Sequence, residues 1–412
     1  MPILSCRGPD GPGIALRAGR RRAAGPALGL LILTSSWGAW AHESDPDRLA
    51  PGLRLSAAAA VSLADADDPI PMARLPGVLG TGVVPDDREG LGIEHATIAA
   101  DWLSGPFGAQ FALGWHGDGD SHVESAWVSA RAHTALAIGA GRRRVPVGPV
   151  IAEAGHFDRF GLVPLAKRAA FDEDWIADGL NLTWNSPGAG AWRADVGLWW
   201  SDEFPVGASR RMMPVLHVGG PIAGVEFDAF VASADAPDRG TEISRGAGGH
   251  SHGSPSCDPG GLQAVCFDGR VDLAGLSARW ESESLPLVVS GAWLARRERG
   301  ELFSASGDSR YRGEIDGGWV EAGWVPGSDW RVALRAERVS ADNRVSGIGA
   351  SALAREAGLL DNEPSERLAL AVGWTLGRSV DAYAELGRTR SGDWDDSYAM
   401  LRLIVRAGVQ VF

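Results

Sequence analysis

The chain has little of what a water-soluble enzyme or a helical membrane protein needs. Beyond the first forty residues no stretch holds 18 uninterrupted apolar residues, which excludes a bundle of spanning helices. Lysine is nearly absent, with Lys167 the only one, and the formal charge is −13, so nucleic acid is excluded as a partner. Cysteine numbers three and tyrosine three, while tryptophan numbers 17 and glycine 56 in 412 residues. No G-x-S-x-G elbow and no paired-carboxylate motif stands out, so catalysis finds no anchor and no cofactor is required.

The first forty residues differ from the rest. Arg17, Arg20, Arg21 and Arg22 precede an apolar run at 27–34 and then Ala39-Trp40-Ala41. That order predicts a cleaved export signal over 1–41 and a mature chain beginning at His42. The predicted leader holds five Arg and one Asp, net +4, so its loss takes the formal charge from −13 to −17. Two cysteines survive, Cys257 and Cys266, and in an exported chain an even pair predicts a disulfide.

What is abundant is alternation. Trp192, Ala194, Val196, Leu198 and Trp200 fall on one face of an extended chain, with Arg193 and Asp195 on the other. Phe107, Ala109, Phe111, Leu113 and Trp115 face away from Gln110 and His116. Trp330, Val332 and Leu334 oppose Arg331, Arg335 and Glu337, and Leu368, Leu370, Val372, Trp374 and Leu376 repeat the pattern with Arg367 opposite. Aromatic residues eight apart span about 26 Å of strand, which suits two interfacial girdles around a lipid-facing band.

Sixteen such segments are countable, an even number. Their connections alternate between short turns, such as 186–190 and 326–328, and long polar stretches at 64–90, 143–177, 233–270, 297–316 and 339–365, with short exceptions at 117–122 and 389–396. Long loops at one end and turns at the other predict an all-β fold, a transmembrane antiparallel barrel of about 16 strands. It spans 42–412, with 143–177 as its third external loop and a disulfide-bearing external loop at 233–270. The expected location is the outer membrane, with lipid as a partner. A terminal Phe412 resembles the signal read by the barrel-assembly machinery, although Leu401, Leu403, Val405, Val409 and Val411 lie one residue out of phase with it.

The segment Gly148-Pro-Val-Ile-Ala-Glu-Ala-Gly-His-Phe-Asp-Arg-Phe-Gly-Leu-Val-Pro164, then Pro164-Leu165 to Arg168-Ala-Ala-Phe171, and then Asp178-Gly-Leu-Asn-Leu-Thr-Trp184, carries a resemblance over about forty residues. It resembles a porin-like outer-membrane family sometimes labelled zinc-regulated or TonB-dependent receptor-like, here without a plug domain. Where those relatives carry a His-rich run, this chain keeps His156 and Asp158. The resemblance implies that the third external loop folds inward and narrows a passage for small ions or polar solutes. It also implies that porin-like trimers are an expected assembly.

The residues expected to line that constriction and lumen are Arg142, Arg143, Arg144, Glu153, His156, Asp158, Arg159, Lys167, Arg168, Arg193, Asp195, Arg331, Arg335 and Glu337, with Asp172, Glu173 and Asp174 in the same loop. Facing charges of opposite sign would set a transverse field there. A second reading is metal-linked uptake, with His250, His252 and His156 collecting zinc or copper at the outer face. A third is a barrel enzyme or adhesin without conductance.

Overall fold

The structure is a computed structural model that describes residues 51–66, 75–80, 90–117, 121–172, 174–188, 192–201, 204–207, 210–242, 257, 264–327, 329–360, 363–377, 379–392 and 394–411. The predicted leader 1–41, His42, His250, His252 and Phe412 lie outside the described residues. Sixteen strands form one closed sheet. They are β1 (Gly52–Ala66), β2 (Gly90–Ser104), β3 (Phe107–His116), β4 (Ser121–His133), β5 (Leu136–Arg144), β6 (Ile176–Asn185), β7 (Arg193–Ser201) and β8 (Arg211–Ile222). The second half comprises β9 (Val225–Glu242), β10 (Ala264–Glu281), β11 (Leu287–Ser304), β12 (Gly307–Trp324), β13 (Trp330–Ile348), β14 (Ser365–Thr375), β15 (Val380–Ser391) and β16 (Trp394–Gln410). Three short helices sit in connections: α1 (Pro149–Glu153), α2 (Leu165–Phe171) and α3 (Ala350–Glu356).

Every strand pairs with its neighbours in sequence, and β1 closes on β16 antiparallel, with Ala57 opposite Ala407 and Val61 opposite Leu403. Closure leaves no unpaired sheet edge, which the hydrocarbon would not tolerate. The even count puts both ends of the barrel chain at the same rim.

The alternation does what the sequence predicts. On β3, Phe107 and Phe111 are exposed while Gln110 and His116 are buried. On β7, Val196 and Leu198 are exposed and Asp195 is fully enclosed. Leu401, Leu403, Val405, Val409 and Val411 likewise face outward. Such a continuous apolar exterior is stable only against lipid. At the turn end it is ringed by exposed Trp102, Trp184, Trp192, Trp280, Trp324 and Trp330. Trp330 stands opposite Trp374, with ring centroids 4.8 Å apart. The girdle at the loop end is thinner, with Trp115 and Trp200 half-buried.

Four expected boundaries change. The predicted loop 233–270 is strand at both ends, since β9 runs to Glu242 and β10 starts at Ala264. The predicted loop 297–316 is strand: β11 runs to Ser304, β12 starts at Gly307, and only two residues turn between them. Arg297, Arg299 and Glu301 point outward while Arg296, Glu298 and Leu302 point inward. Charge on the outer face suggested a loop, yet a strand that has left the lipid for water carries it freely. For the same reason β13 continues to Ile348, and the segment 339–365 shrinks to a connection holding α3. Arg142, Arg143 and Arg144 belong to β5 and not to the inward loop, which spans 145–175.

Cys257 and Cys266 form the expected disulfide, with Cα atoms 5.4 Å apart. It fastens the connection after β9 to the base of β10, where Cys266 is buried.

Candidate functional site

The connection 145–175 crosses the barrel interior, and most of its apolar side chains are buried there. Val145, Val147, Ile151, Phe171 and Trp175 join Leu79 of the β1–β2 connection and Leu353 and Leu359 around α3 in one cluster against inward residues of β9–β12. The loop therefore packs against the β9–β12 side of the lumen.

Between the helices, residues 154–164 are irregular, so their backbone groups have no ladder to pair with. Irregular backbone at membrane depth persists only when protein satisfies it. The wall formed by β13–β16 does so with charged side chains. Arg402 donates to the carbonyls of His156 and Asp158, both at 2.8 Å, and Arg406 donates to that of Phe157 at 3.1 Å. Arg335 donates to the Leu162 carbonyl at 2.5 Å and Arg367 to that of Val163 at 3.1 Å. In the other direction the amides of Gly161 and Leu165 donate to Glu385 and Glu337, at 2.6 and 2.7 Å.

These wall groups are themselves paired. Arg402 makes a two-nitrogen contact with Glu94 of β2 at 2.6–3.1 Å, and both are buried. Arg335 holds Glu337 at 2.8 Å and lies over the Phe160 ring at 4.1 Å. Arg159 reaches Glu321 on β12 at 3.0 Å, and Asp158 lies 3.4 Å from Arg335. Near the loop's return, Lys167 donates to the Ala154 carbonyl at 2.8 Å and pairs with Asp174 at 2.7 Å. Arg144 pairs with the same Asp174 and donates to the Ala152 carbonyl at 3.0 Å.

The remaining expected residues spread around the wall. Arg142 donates to the Val123 carbonyl at 2.9 Å, Arg143 lies over Trp127 at 5.0 Å, and Glu153 accepts from Arg279 at 3.1 Å. Arg168 sits in the last turn of α2. Across the lumen, Asp195 accepts from Arg193 at 2.8 Å, from Thr183 at 2.6 Å and from Asn181 at 2.8 Å. His217 bridges Asp195 and Asp228, each at 3.0 Å. Arg331 donates to the Tyr383 hydroxyl at 3.0 Å near the turn rim and is partly exposed.

One cluster was not legible beforehand. His95 on β2, His116 on β3 and His156 on the crossing loop place one imidazole nitrogen each within 4.8 Å of one another, all buried. The His95 and His156 rings stack at 4.4 Å, and His116 meets both edge-on at 4.7 and 5.1 Å. His122 on β4 stacks on His116 at 5.1 Å. Glu124 accepts from His95 Nε2 at 2.6 Å and from the Thr97 hydroxyl at 2.8 Å.

Two β-bulges build this arrangement. Ala60 pairs with His95 and Val61 with Ile93, so Glu94 is an extra residue and both Glu94 and His95 turn inward. Ala112 pairs with Ser125 and Leu113 with Val123, which turns Glu124 inward in the same way. Gly114 completes the space: a Cβ there would lie 2.7 Å from Glu124 Oε1 and 2.9 Å from His95 Cε1.

No family model and no curated protein sequence matches the chain. Solved structures do. An in-vitro folded OmpT of Vibrio cholerae, an outer membrane protein in a trimer form, is 11% identical with a TM-score of 0.57, covering 87% of this chain and 100% of its own. An anion-selective porin from Comamonas acidovorans is 12% identical with a TM-score of 0.53, covering 86% and 99%. OprB of Pseudomonas putida at high pH is 10% identical with a TM-score of 0.50, covering 86% and 94%. At such identities the likeness is one of fold. With the lipid-facing exterior it places the protein in the outer membrane.

Proposed function

We propose that the protein is a porin-like channel for small ions and polar solutes, with the loop 145–175 as its constriction. One observation carries this reading: an inward loop whose irregular backbone is fastened to the barrel wall by Arg335, Arg367, Arg402, Arg406, Glu337 and Glu385. A purely structural barrel has no need to thread a charged loop through its lumen. Because the loop packs against the β9–β12 side and is fastened to the β13–β16 side, the seated state passes little, and conduction follows displacement of the loop. The likeness to an anion-selective porin and to a trimeric outer membrane protein fits this reading and a trimeric assembly.

On this reading the long connections face outward and the turns face the periplasm, Phe412 engages the assembly machinery, and 1–41 is removed on export. Planar-bilayer recording of the purified protein tests it. Small, infrequent steps with a reproducible ion preference are expected from the wild type, and larger, more frequent ones when the loop's fastenings are cut. Silence in both across many insertions overturns the channel and favours the enzyme or adhesin.

A further inference from the structure

The geometry around His95, His116 and His156 points to a metal centre, and we propose that one divalent ion of the zinc class is bound there, held jointly by the barrel wall and the crossing loop. The donor set is nitrogen. Imidazole selects zinc, copper and nickel over magnesium and calcium, which prefer oxygen.

The spacing suits such an ion. Zinc–nitrogen bonds of about 2.0–2.1 Å in a tetrahedral site place ligand nitrogens about 3.4 Å apart. Three nitrogens already within 4.8 Å of one another reach that spacing by small ring movements. They come from two wall strands and the loop, so the site exists only while the loop is seated.

The environment of His95 is the second, independent observation. A carboxylate can only accept, so the 2.6 Å contact with Glu124 makes His95 Nε2 the donor and leaves the lone pair on Nδ1. Histidines that bind metals characteristically donate their other ring N–H to a carboxylate in this manner, which fixes the tautomer and the ring plane. Thr97 holds Glu124 in turn, and Gly114 leaves room for the pair. Both carboxylate and histidine occupy positions turned inward at β-bulges, a placement that simple wall packing does not call for. His122, whose Nε2 is 3.9 Å from Glu124 and whose ring lies against His116, flanks the three, and water completes the tetrahedron.

Binding of the ion stands apart from the channel reading, but its consequence rests on it. An ion shared by His156 and the wall favours the seated loop, so zinc lowers conductance.

The test uses detergent-purified, untagged full chain carrying His250→Ala and His252→Ala, which removes the other histidine pair. Cobalt(II) is the spectroscopic probe and zinc the competitor. One equivalent of cobalt with tetrahedral-type absorption, displaced by zinc, is expected. His156→Ala, a loop change that leaves the wall strands untouched, abolishes that absorption, and Glu124→Gln weakens affinity by about 10–100-fold. Heat-modifiable gel migration reports that each variant is folded. No stoichiometric uptake, or uptake indifferent to His156→Ala, overturns the site. Uptake lost in His156→Ala from a protein that never conducts supports the site and refutes the channel. Conductance that ignores zinc in a metal-binding wild type overturns the proposed effect on the loop.

Discussion

Cutting the Arg402 fastening is the sharpest test of the constriction. In Arg402→Ala the Glu94 carboxylate, buried beside it, loses a two-nitrogen partner, and the carbonyls of His156 and Asp158 lose their donor. Breaking a buried ion pair by removing one member costs about 3–5 kcal/mol, because the remaining charge is stranded. That penalty falls on the seated loop, since displacement lets water reach Glu94 and the two carbonyls. Every 1.4 kcal/mol is a factor of ten, so the balance between seated and displaced loop shifts by roughly 10²- to 4 × 10³-fold. Single-channel recording reads this directly as a higher open fraction and a larger mean conductance. Replacing both partners, Arg402→Met with Glu94→Gln, removes the stranded charge and is expected to fall between wild type and the single variant. A folded Arg402→Ala barrel whose conductance and open fraction match the wild type refutes the reasoning, because the loop would then not be held by the wall.

Other expectations follow from the same contacts. Gly114→Ala pushes a methyl into Glu124 and His95, so cobalt absorption is expected to fall while the barrel's gel migration stays native. Leu370→Arg on the lipid face of β14, opposite Leu334 and Leu386, is expected to destabilise the barrel by about 2–4 kcal/mol in urea titrations in vesicles. Arg297→Leu, outward on the part of β11 beyond the lipid, should leave stability within about 0.5 kcal/mol. The disulfide closes a separation of nine residues, worth about 2–3 kcal/mol in the chain-entropy account. Its removal in Cys257→Ser with Cys266→Ser is expected to speed proteolysis of that connection without changing conductance.

The barrel was legible because lipid on one side and lumen on the other impose period two on every strand, and that survives in the sequence however divergent the chain. Strand ends were harder to read. Arg297, Arg299 and Arg312 look like loop residues only if charge is taken to mean loop, whereas above the bilayer charge is a permitted outer face of a strand. Topology placed the crossing loop third among the long connections and the resemblance to porins turned it inward; in the structure Glu153, Asp158 and Arg159 reach Arg279, Arg335 and Glu321 of the wall, His156 stacks on His95 and Lys167 pairs within the loop. Their partners were not, since Glu385 and Gly161 are 224 residues apart and Arg402 and Glu94 are 308 apart. The histidine cluster escaped for a related reason. Motifs with fixed spacing come from one local element, but here sheet register brings His95 to His116 and the crossing loop adds His156, and two bulges break the alternation at Glu94 and Glu124. The visible trace was His116 and His122 flanking one tight connection.

The near-exclusive use of arginine admits a bland origin in codon usage, yet the lumen gives it a physical role. Arginine and acid recur two residues apart on one strand face: Arg193 with Asp195, Arg279 with Glu281, Arg296 with Glu298, and Arg335 with Glu337. Each strand thus neutralises part of its own charge before anything crosses the lumen. A guanidinium offers five donors in a fixed plane, so one edge can serve the neighbouring carboxylate while the rest remain for the loop. Arg335 does this: Nε serves Glu337, Nη2 the Leu162 carbonyl and Nη1 the Asp158 carboxylate. A lysine ammonium is a compact point charge on a flexible stem and cannot span those three positions from one rotamer. The one lysine sits where a point charge suffices, between the Ala154 carbonyl and Asp174 within the loop itself. The wall needs forks because its targets are backbone carbonyls of a segment that has no secondary structure of its own.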